Sequence, residues 1–496
     1  MGDPLRSVTA EGMTVRRYEM RDLAAAPRFA NPDLGLGNPA VVSTRPALSD
    51  LTVLDAFDHR LLRAGIVLAH RSMDGEGAWL VAAPTWSPQL PEEHLEAMTS
   101  GEVPDGILDM LAPLLRRAPL APVGTLHRVR TTYLIRSTDR RPLGTVIDDH
   151  YTIRREGQVL TQYREVGVDT GTMSSTQVEW FDDVLREVEG LPVDRHLPLP
   201  ARLRVLAGED TTGRIDLSTV GSVDADTDAT MGEVVGHFIG QAAHDVLLAD
   251  LDVRSGRTRK VQPLVRSLRR FVDEVPVVDP VLPDGHVAEL AAELNWAADA
   301  LDGAFGADQA ALLAGDRYLG IFERISALRT PTLAEGVGTG PAREEIGTMV
   351  AEAARDLLRA GSQAPDAPDD SGWRAAAAAA QRLVTTAELA ALLAPKLARK
   401  LGSRAGDVYD GLVVCDNEEL EALRGSLTGA SPQEAFGIGR HYAGLASRQA
   451  EARAEFVEHW PTDARKLRRA ALELLDRLGV EEQLDGAVDP ESGADD

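Results

Sequence analysis

Val53-Leu54-Asp55-Ala56-Phe57-Asp58-His59-Arg60-Leu61-Leu62-Arg63-Ala64-Gly65 is the stretch on which the reading of this chain turns. It sits inside a region, from about Met13 to Thr170, whose pattern is strand-like. β-Rich runs such as Thr131-Thr132-Tyr133-Leu134-Ile135 and Tyr151-Thr152-Ile153 are separated by turn signals, among them Ser137-Thr138-Asp139 and Glu156-Gly157. Two helical inserts fit between the strands. One spans Pro91 to Met98. The other runs from Gly106 to Arg117, where Leu108, Leu111, Leu114 and Leu115 make an apolar stripe. A further helix over Thr176 to Glu189 closes this half.

Outward of that region the chain changes character. Residues Leu191 to Asp228 are loop-like, with Pro192, Pro198, Pro200, Gly208 and Gly213, and read as a linker. Beyond them nearly everything is helical in period and rich in alanine and leucine. The expected helices cover Met231 to Ala249, Thr258 to Val272, Val287 to Leu301, Ile346 to Arg359 and Trp373 to Leu393, then Pro432 to His459 and Thr462 to Leu478. The organisation that follows is a first domain over 1–190, a linker over 191–228, an all-α domain over 229–482 and an acidic tail over 483–496.

Composition excludes several classes. With 44% hydrophobic and 26% charged residues, this is a globular composition. No run approaches eighteen apolar residues: the most apolar, Ala387 to Leu393, stops at Pro395 and Lys396, so no membrane span is expected. Met1-Gly2-Asp3-Pro4 lacks the basic start and apolar run of a signal peptide, and the single Cys415 allows neither a disulfide framework nor a cysteine zinc site. A cytoplasmic location is the expectation. The net charge is −26, from 78 acids against 52 Lys plus Arg, the wrong sign for tracking nucleic acid through an overall field. Lysine occurs only at Lys260, Lys396, Lys400 and Lys466.

The opening stretch resembles the segment of the CYTH (triphosphate tunnel) family in which a strand leads into "L-R-A-G". Further matches follow in the family's order. They are Trp79 with Pro84, Arg128 and Arg130 before Thr131-Thr132-Tyr133, Asp148-Asp149, and Tyr163-Arg164-Glu165-Val166-Gly167-Val168-Asp169 for the closing strand. The helical remainder is similar to the CHAD domain that commonly follows CYTH. The resemblance implies an α+β chain, an N-terminal antiparallel β-barrel forming a tunnel followed by a C-terminal all-α helical bundle. In that family arginines and lysines grip phosphates while carboxylates hold Mg or Mn, which activates water on the phosphoryl group.

Measured against that pattern, both halves are eroded. The opening strand reads Thr14-Val15-Arg16-Arg17-Tyr18, without the family's glutamates or lysine. Arg71 is kept, but Ala69 and Ala82 stand where cations belong, and Gly167 and Thr145 stand where carboxylates belong. In the helical half Ser255 takes a histidine's place, and Ala378-Ala379-Ala380-Gln381-Arg382 keeps one cation of four. Residues 226–482 carry 41 acids against 28 Lys plus Arg, a net of −13. The resemblance therefore implies phosphate-binding candidates Arg17, Arg71, Arg128 and Arg130 in the barrel, with Arg254, Arg257, Arg259, Lys260 and Arg266 on a basic helix. Its metal candidates are Glu165, Asp169 and Asp148, with Mg or Mn as the ion if that acidic site is occupied and no cofactor otherwise. No catalytic residue is assigned.

Each candidate has a bland alternative. The carboxylates are also ordinary solvent-facing strand residues, and the basic run is also a solvated helix surface pairing with nearby acids. His59, His70, His127 and His150 lack metal-ligand spacing. Gly35-Leu36-Gly37-Asn38-Pro39-Ala40 matches G-x-G-x-x-A but is neither preceded by a strand nor followed by a helix, so it reads as a loop. The leading expectation is a non-catalytic binding or scaffolding protein with affinity for inorganic polyphosphate or triphosphate and with a protein partner. The alternatives are an active metal-dependent triphosphatase using displaced ligands (Glu11, Glu19 or Asp55) and a pure interaction protein without an anion site.

Overall fold

A computed structural model of the chain describes residues 15–42, 47–73, 75–193, 197–208, 223, 229–281, 286–327, 340–367, 369–416, 418–427 and 430–481. It divides into two compact units, residues 1–211 with 250–259, and residues 212–249 with 260–496. Glu11 and the acidic tail 483–496 lie outside the described residues, as does most of 209–228.

In the first unit the elements run β1 (Val15–Met20), β2 (Ala40–Val41), β3 (Ala47–Asp55), α1 (Arg60–Arg63), β4 (Val67–Met73), β5 (Glu76–Ala82) and β6 (Glu93–Ala97). They continue with α2 (Asp105–Leu115), β7 (Ala121–Arg136), β8 (Pro142–Arg155), β9 (Gln158–Asp169), α3 (Ser175–Glu187), β10 (Leu191–Pro192) and α4 (Leu199–Leu203), the last extended by a 3-10 turn over Arg204–Leu206. All strands join one antiparallel sheet in the order β10-β1-β9-β8-β7-β3-β4-β5-β6, with β2 beside β7. Among the described residues this is an open path with β10 and β6 at its ends, where the sequence reading expected a closed barrel.

The stretch quoted at the outset folds as the end of β3, a turn, and α1. Buried Asp55 accepts hydrogen bonds from the backbone N–H groups of Ala56, Leu61 and Leu62, at 2.7, 3.1 and 2.9 Å, so the carboxylate holds the turn into α1. Gly65, at φ 71°, lets the chain reverse into β4. α3 is stopped at its start by a capping box between Ser174 and Gln177, one residue from the expected boundary.

Residues 91–98 hold strand β6, not the expected helix. Only Leu95 of Glu93-His94-Leu95-Glu96-Ala97 is half-buried, pairing with Leu80 of β5, and the flanking charges suit an edge strand.

Side chains alternate between the two faces of the sheet. On one face Tyr18, Met20, Ile135, Val146, Val166 and Val168 pack against Phe181 and Leu185 of α3. On the other, Leu51, Val53, Val67, Ala69, Leu80, Ala82, Leu126 and Ile153 pack against Leu203, Leu206 and Ala207, with Leu199 at the margin. The segment 197–207, expected to be linker, is thus a strap seated on the second face. Gly124 of β7 makes room for it: a Cβ there would come within 2.5 Å of the Leu206 side chain.

The second unit is helical, as expected. Its helices are α5 (Met231–Arg254, of which residues from Asp250 onward count with the first unit), α6 (Gln262–Glu274), α7 (His286–Asp302), α8 (Ala307–Ala314), α9 (Asp316–Ala327), α10 (Ala342–Gln363), α11 (Ser371–Ala390), α12 (Pro395–Cys415), α13 (Glu418–Ser426) and α14 (Pro432–Leu478). The helices expected at 432–459 and 462–478 are one element carrying Pro461 inside it. No helix among the described residues is long and apolar enough to cross a membrane.

Candidate functional site

Strand register assigns each charged candidate of the sheet to a face. Partnered residues of an antiparallel pair point the same way. Arg128 pairs with Ser49 and Tyr151, Tyr151 with Tyr163, Arg130 with Asp149, Asp149 with Glu165, and Glu165 with Glu19. Arg17 lies opposite Gly167, and Arg71 opposite Leu51. The four barrel arginines of the sequence reading, Arg17, Arg71, Arg128 and Arg130, therefore share the strap face. Glu165 and Asp169 are on it too, since both follow the parity of Gly167. Asp148 is not: it is one residue off from Asp149 and points to the α3 face.

The three metal candidates are accordingly not brought together. Asp148 accepts two hydrogen bonds of 2.7 Å from Arg164 Nε and Nη2, both residues being buried. Glu165 pairs with Arg202. Asp169 accepts from Thr145 Oγ1 at 3.5 Å and caps the backbone of Gly171. Among the described residues no group of three or more His, Cys, Asp or Glu side chains is placed to hold a metal ion. Oxygen-rich Mg or Mn coordination does not fit Asp148 and Glu165, which guanidinium groups already claim.

What the strap face does assemble is a layer of cations and aromatic rings. Arg130 grips Asp149 through Nε and Nη2, at 2.8 and 2.7 Å. Burial is the largest influence on Arg130 and lowers its pKa, but the hydrogen bond and charge of Asp149, with Tyr151 and Glu165, together raise it on balance. Arg128, two residues along, is 3% exposed, and its Nε and Nη2 have no hydrogen-bond partner among the described residues. Burial and then the like charge of Arg130 lower its pKa, against the smaller opposing influences of Asp149 and Tyr151. Beside it the rings of Tyr151 and Tyr163 stack with centroids 4.7 Å apart and planes 16° from parallel. Burial pushes the Tyr163 hydroxyl up to about 12.

The strap supplies a further member. Arg202 of α4 lies with its guanidinium carbon 5.0 Å from the Tyr163 ring centre and 5.9 Å from that of Tyr151, pairs with Glu165, and anchors its Nε on the Leu197 carbonyl at 3.0 Å. Burial raises the pKa of Glu165, Arg202 lowers it, and Asp149 and Glu19 raise it further, the net being upward. Ala69 and Ala82, small where the family pattern has cations, lie in the apolar cluster that receives the strap's leucines.

The basic run over 254–270, whose residues up to Arg259 belong to the first unit, is arranged differently. It is not one helix: α5 ends at Arg254, Gly256 turns at φ 72°, and α6 begins at Gln262. Arg254 pairs with fully buried Asp250 at 2.6 Å, and Arg257 with Asp252 at 2.8 Å. Arg266 lines a surface cavity with Arg269, Arg270, Asp273, Glu274 and Glu388, where Arg270 pairs with Glu274 and Arg269 with Asp302. Arg259 is exposed and Lys260 follows it at the turn. Acids interleave with most of these cations.

Sequence reading missed Asp149, Tyr151 and Arg202 as members of the cluster. Asp149 was quoted beside Asp148, and only the register decides which one faces Arg130. Arg202 lies in a segment read as linker because of Pro198 and Pro200, although Leu199, Leu203 and Leu206 already have helical spacing.

No family model and no curated protein matches the chain. Among solved structures it is similar to a putative adenylate cyclase of Bacillus halodurans, with 17% identity over 31% of this chain and 80% of that one, at a TM-score of 0.19. It is also similar to a putative adenylate cyclase of Vibrio parahaemolyticus, with 14% identity over 36% of this chain and 86% of that one, at a TM-score of 0.16. Superpositions this partial fix neither fold nor activity.

Proposed function

We propose that the strap face of the sheet is a non-catalytic binding site for inorganic triphosphate or a short polyphosphate, in a binding or scaffolding protein of CYTH–CHAD type that also engages a protein partner. One observation carries this reading: Arg128 holds a buried guanidinium with two unpartnered nitrogens, Nε and Nη2, beside Arg130. A buried guanidinium with two of its nitrogens unpartnered is costly to keep, and an anion's oxygens would complete Arg128 beside the Arg130–Asp149 pair. Access is from the side of Arg17, Glu19, Arg130 and Glu165, which are not fully buried. Turnover is not part of the proposal, because Asp149, Asp148 and Glu165 are taken up by Arg130, Arg164 and Arg202.

Isothermal titration of the full chain with tripolyphosphate at low salt tests it. Binding that weakens steeply as salt rises supports the reading, and no heat at low salt overturns it. A phosphate-release assay with Mg or Mn addresses the alternative of an active triphosphatase. Of that alternative's displaced ligands, Glu19 does lie beside Glu165, while Asp55 is occupied by the backbone of α1.

A further inference from the structure

The geometry points to Arg202 as a built-in substitute for a divalent cation, so that the strap face takes its polyphosphate ligand without metal. The inference rests on the anion-binding reading and adds what the site requires of its ligand. Asp149, Glu165 and Glu19 form one cross-strand row on β8, β9 and β1, all on the strap face. Three carboxylates in such a row repel one another and any phosphate, and elsewhere that charge is commonly offset by a bound metal ion. Here guanidinium groups offset it: Arg130 covers Asp149, and Arg202 covers Glu165. Arg202 comes from a different element and is held in place independently of the row. Its segment is fixed by Leu203 and Leu206 in the core, by its own Nε on the Leu197 carbonyl, and by the stacked tyrosines beneath its plane. Arg128, buried and partly unpartnered, marks where an anion completes the layer.

Arg202 joins Arg17, Arg71, Arg128 and Arg130 on this face, which also carries Glu19, Asp149, Glu165 and Asp169, and so adds positive charge beside the carboxylate row within a chain of net −26. A planar guanidinium is also permanently charged, so the substitution does not depend on ion supply.

The test uses the full chain, Arg202→Gln, and Arg202→Gln combined with Glu165→Gln. Each is titrated with Mn²⁺ alone, followed by the electron paramagnetic resonance signal of the free ion, and separately with tripolyphosphate in EDTA or in Mn²⁺. Removing Arg202 is expected to create one additional Mn²⁺ site per chain, absent from the native chain and lost again in the double variant. The native chain is expected to bind tripolyphosphate equally in EDTA and in Mn²⁺, whereas Arg202→Gln binds it weakly in EDTA and recovers in Mn²⁺. Native binding that requires Mn²⁺ overturns the inference while leaving the anion site standing. A folded Arg202→Gln that gains no Mn²⁺ site overturns it as well. A native chain that never binds tripolyphosphate, with an Arg202→Gln that gains the Mn²⁺ site, overturns the anion reading and keeps the charge substitution. Should Arg202→Gln fail to fold, Glu165→Gln alone decides: freeing the Arg202 charge is expected to tighten tripolyphosphate binding in EDTA several-fold, and weaker binding overturns the inference.

Discussion

The two faces of the N-terminal sheet handle buried charge in opposite ways. On the α3 face the account closes: Arg164 and Asp148 form a bidentate pair, each no more than 5% exposed, and Asp182 takes both Arg16 and the Tyr18 hydroxyl. On the strap face the account stays open, since Arg128 keeps its Nε and Nη2 nitrogens without partners. A closed arrangement specifies a fold and leaves nothing for a ligand. An arrangement left open by one or two donors has an unmet demand that an external anion can satisfy. The difference separates structural charge from functional charge better than conformity to a motif does, since Asp148 and Arg128 both fit the family pattern.

The sharpest way to break this comparison is Asp148→Ala. It strands Arg164 in the interior and is expected to cost about 3–5 kcal/mol of stability, read by urea denaturation, without changing tripolyphosphate affinity. A loss below about 1 kcal/mol, or a loss of affinity in the folded variant, removes the distinction.

Next in size is a pH effect confined to the strap-face side, where β3 ends at Asp55. Burial pushes this carboxyl up to about 6, outweighing its three backbone hydrogen bonds. A carboxyl whose folded pKa lies above its unfolded value of 3.8 binds more protons when folded, so stability falls as pH rises from about 4 through about 6. The expected loss is about 3 kcal/mol at most, and Asp55→Asn should remove that component from a stability–pH profile.

Arg128→Leu is expected to act in the reverse sense to Asp148→Ala. Stability rises by about 1 kcal/mol because an incompletely satisfied buried charge gives way to an apolar side chain. Tripolyphosphate affinity falls at least about tenfold, the worth of one charged contact at roughly 1.4 kcal/mol. A destabilised Arg128→Leu that still binds would mean that Arg128 is structural after all.

The smallest effect belongs to the second unit. Arg269, half-exposed and paired with Asp302, is expected to cost under about 1 kcal/mol as Arg269→Ala and to leave polyphosphate binding unchanged by titration. A clear loss of affinity there would move the anion site to the helices.

Much of this was legible in the sequence, for reasons that differ by element. Arg128 and Arg130 are two apart in a β-rich run, so their shared face follows from period two alone. α3 announces itself through Ser174 and Gln177. β6 was not legible, because an edge strand needs only one inward residue, and a lone Leu95 among charges gives no period to read. Asp148 and Asp149 are adjacent, and nothing local says which one faces the arginines; that is a property of register across three strands. Arg202 was hidden by its prolines, which signal a loop but also start short helices. The basic run of 254–270 reads as one helix until Gly256 is weighed as a turn residue.

α14 has a consequence of another kind. The sequence divides it at Pro461, and geometrically the division is absent, since the helix continues unbroken for 47 residues. Energetically it persists. Pro461 has no N–H to offer the Val457 carbonyl, and Val457 is exposed enough for water to take that role. Before Trp460 the helix buries only Leu445 and Gln449 among its described residues; from Trp460 onward it buries Leu467, Ala470, Ala471, Leu474, Leu475 and Leu478. Trp460 itself packs so closely on Gly361 that a side chain there would collide with its ring. One continuous helix thus contains two units of local unfolding. Amide hydrogens of 436–456 will exchange through shallow openings, while those of 465–478 will wait for the collapse of the whole helical core.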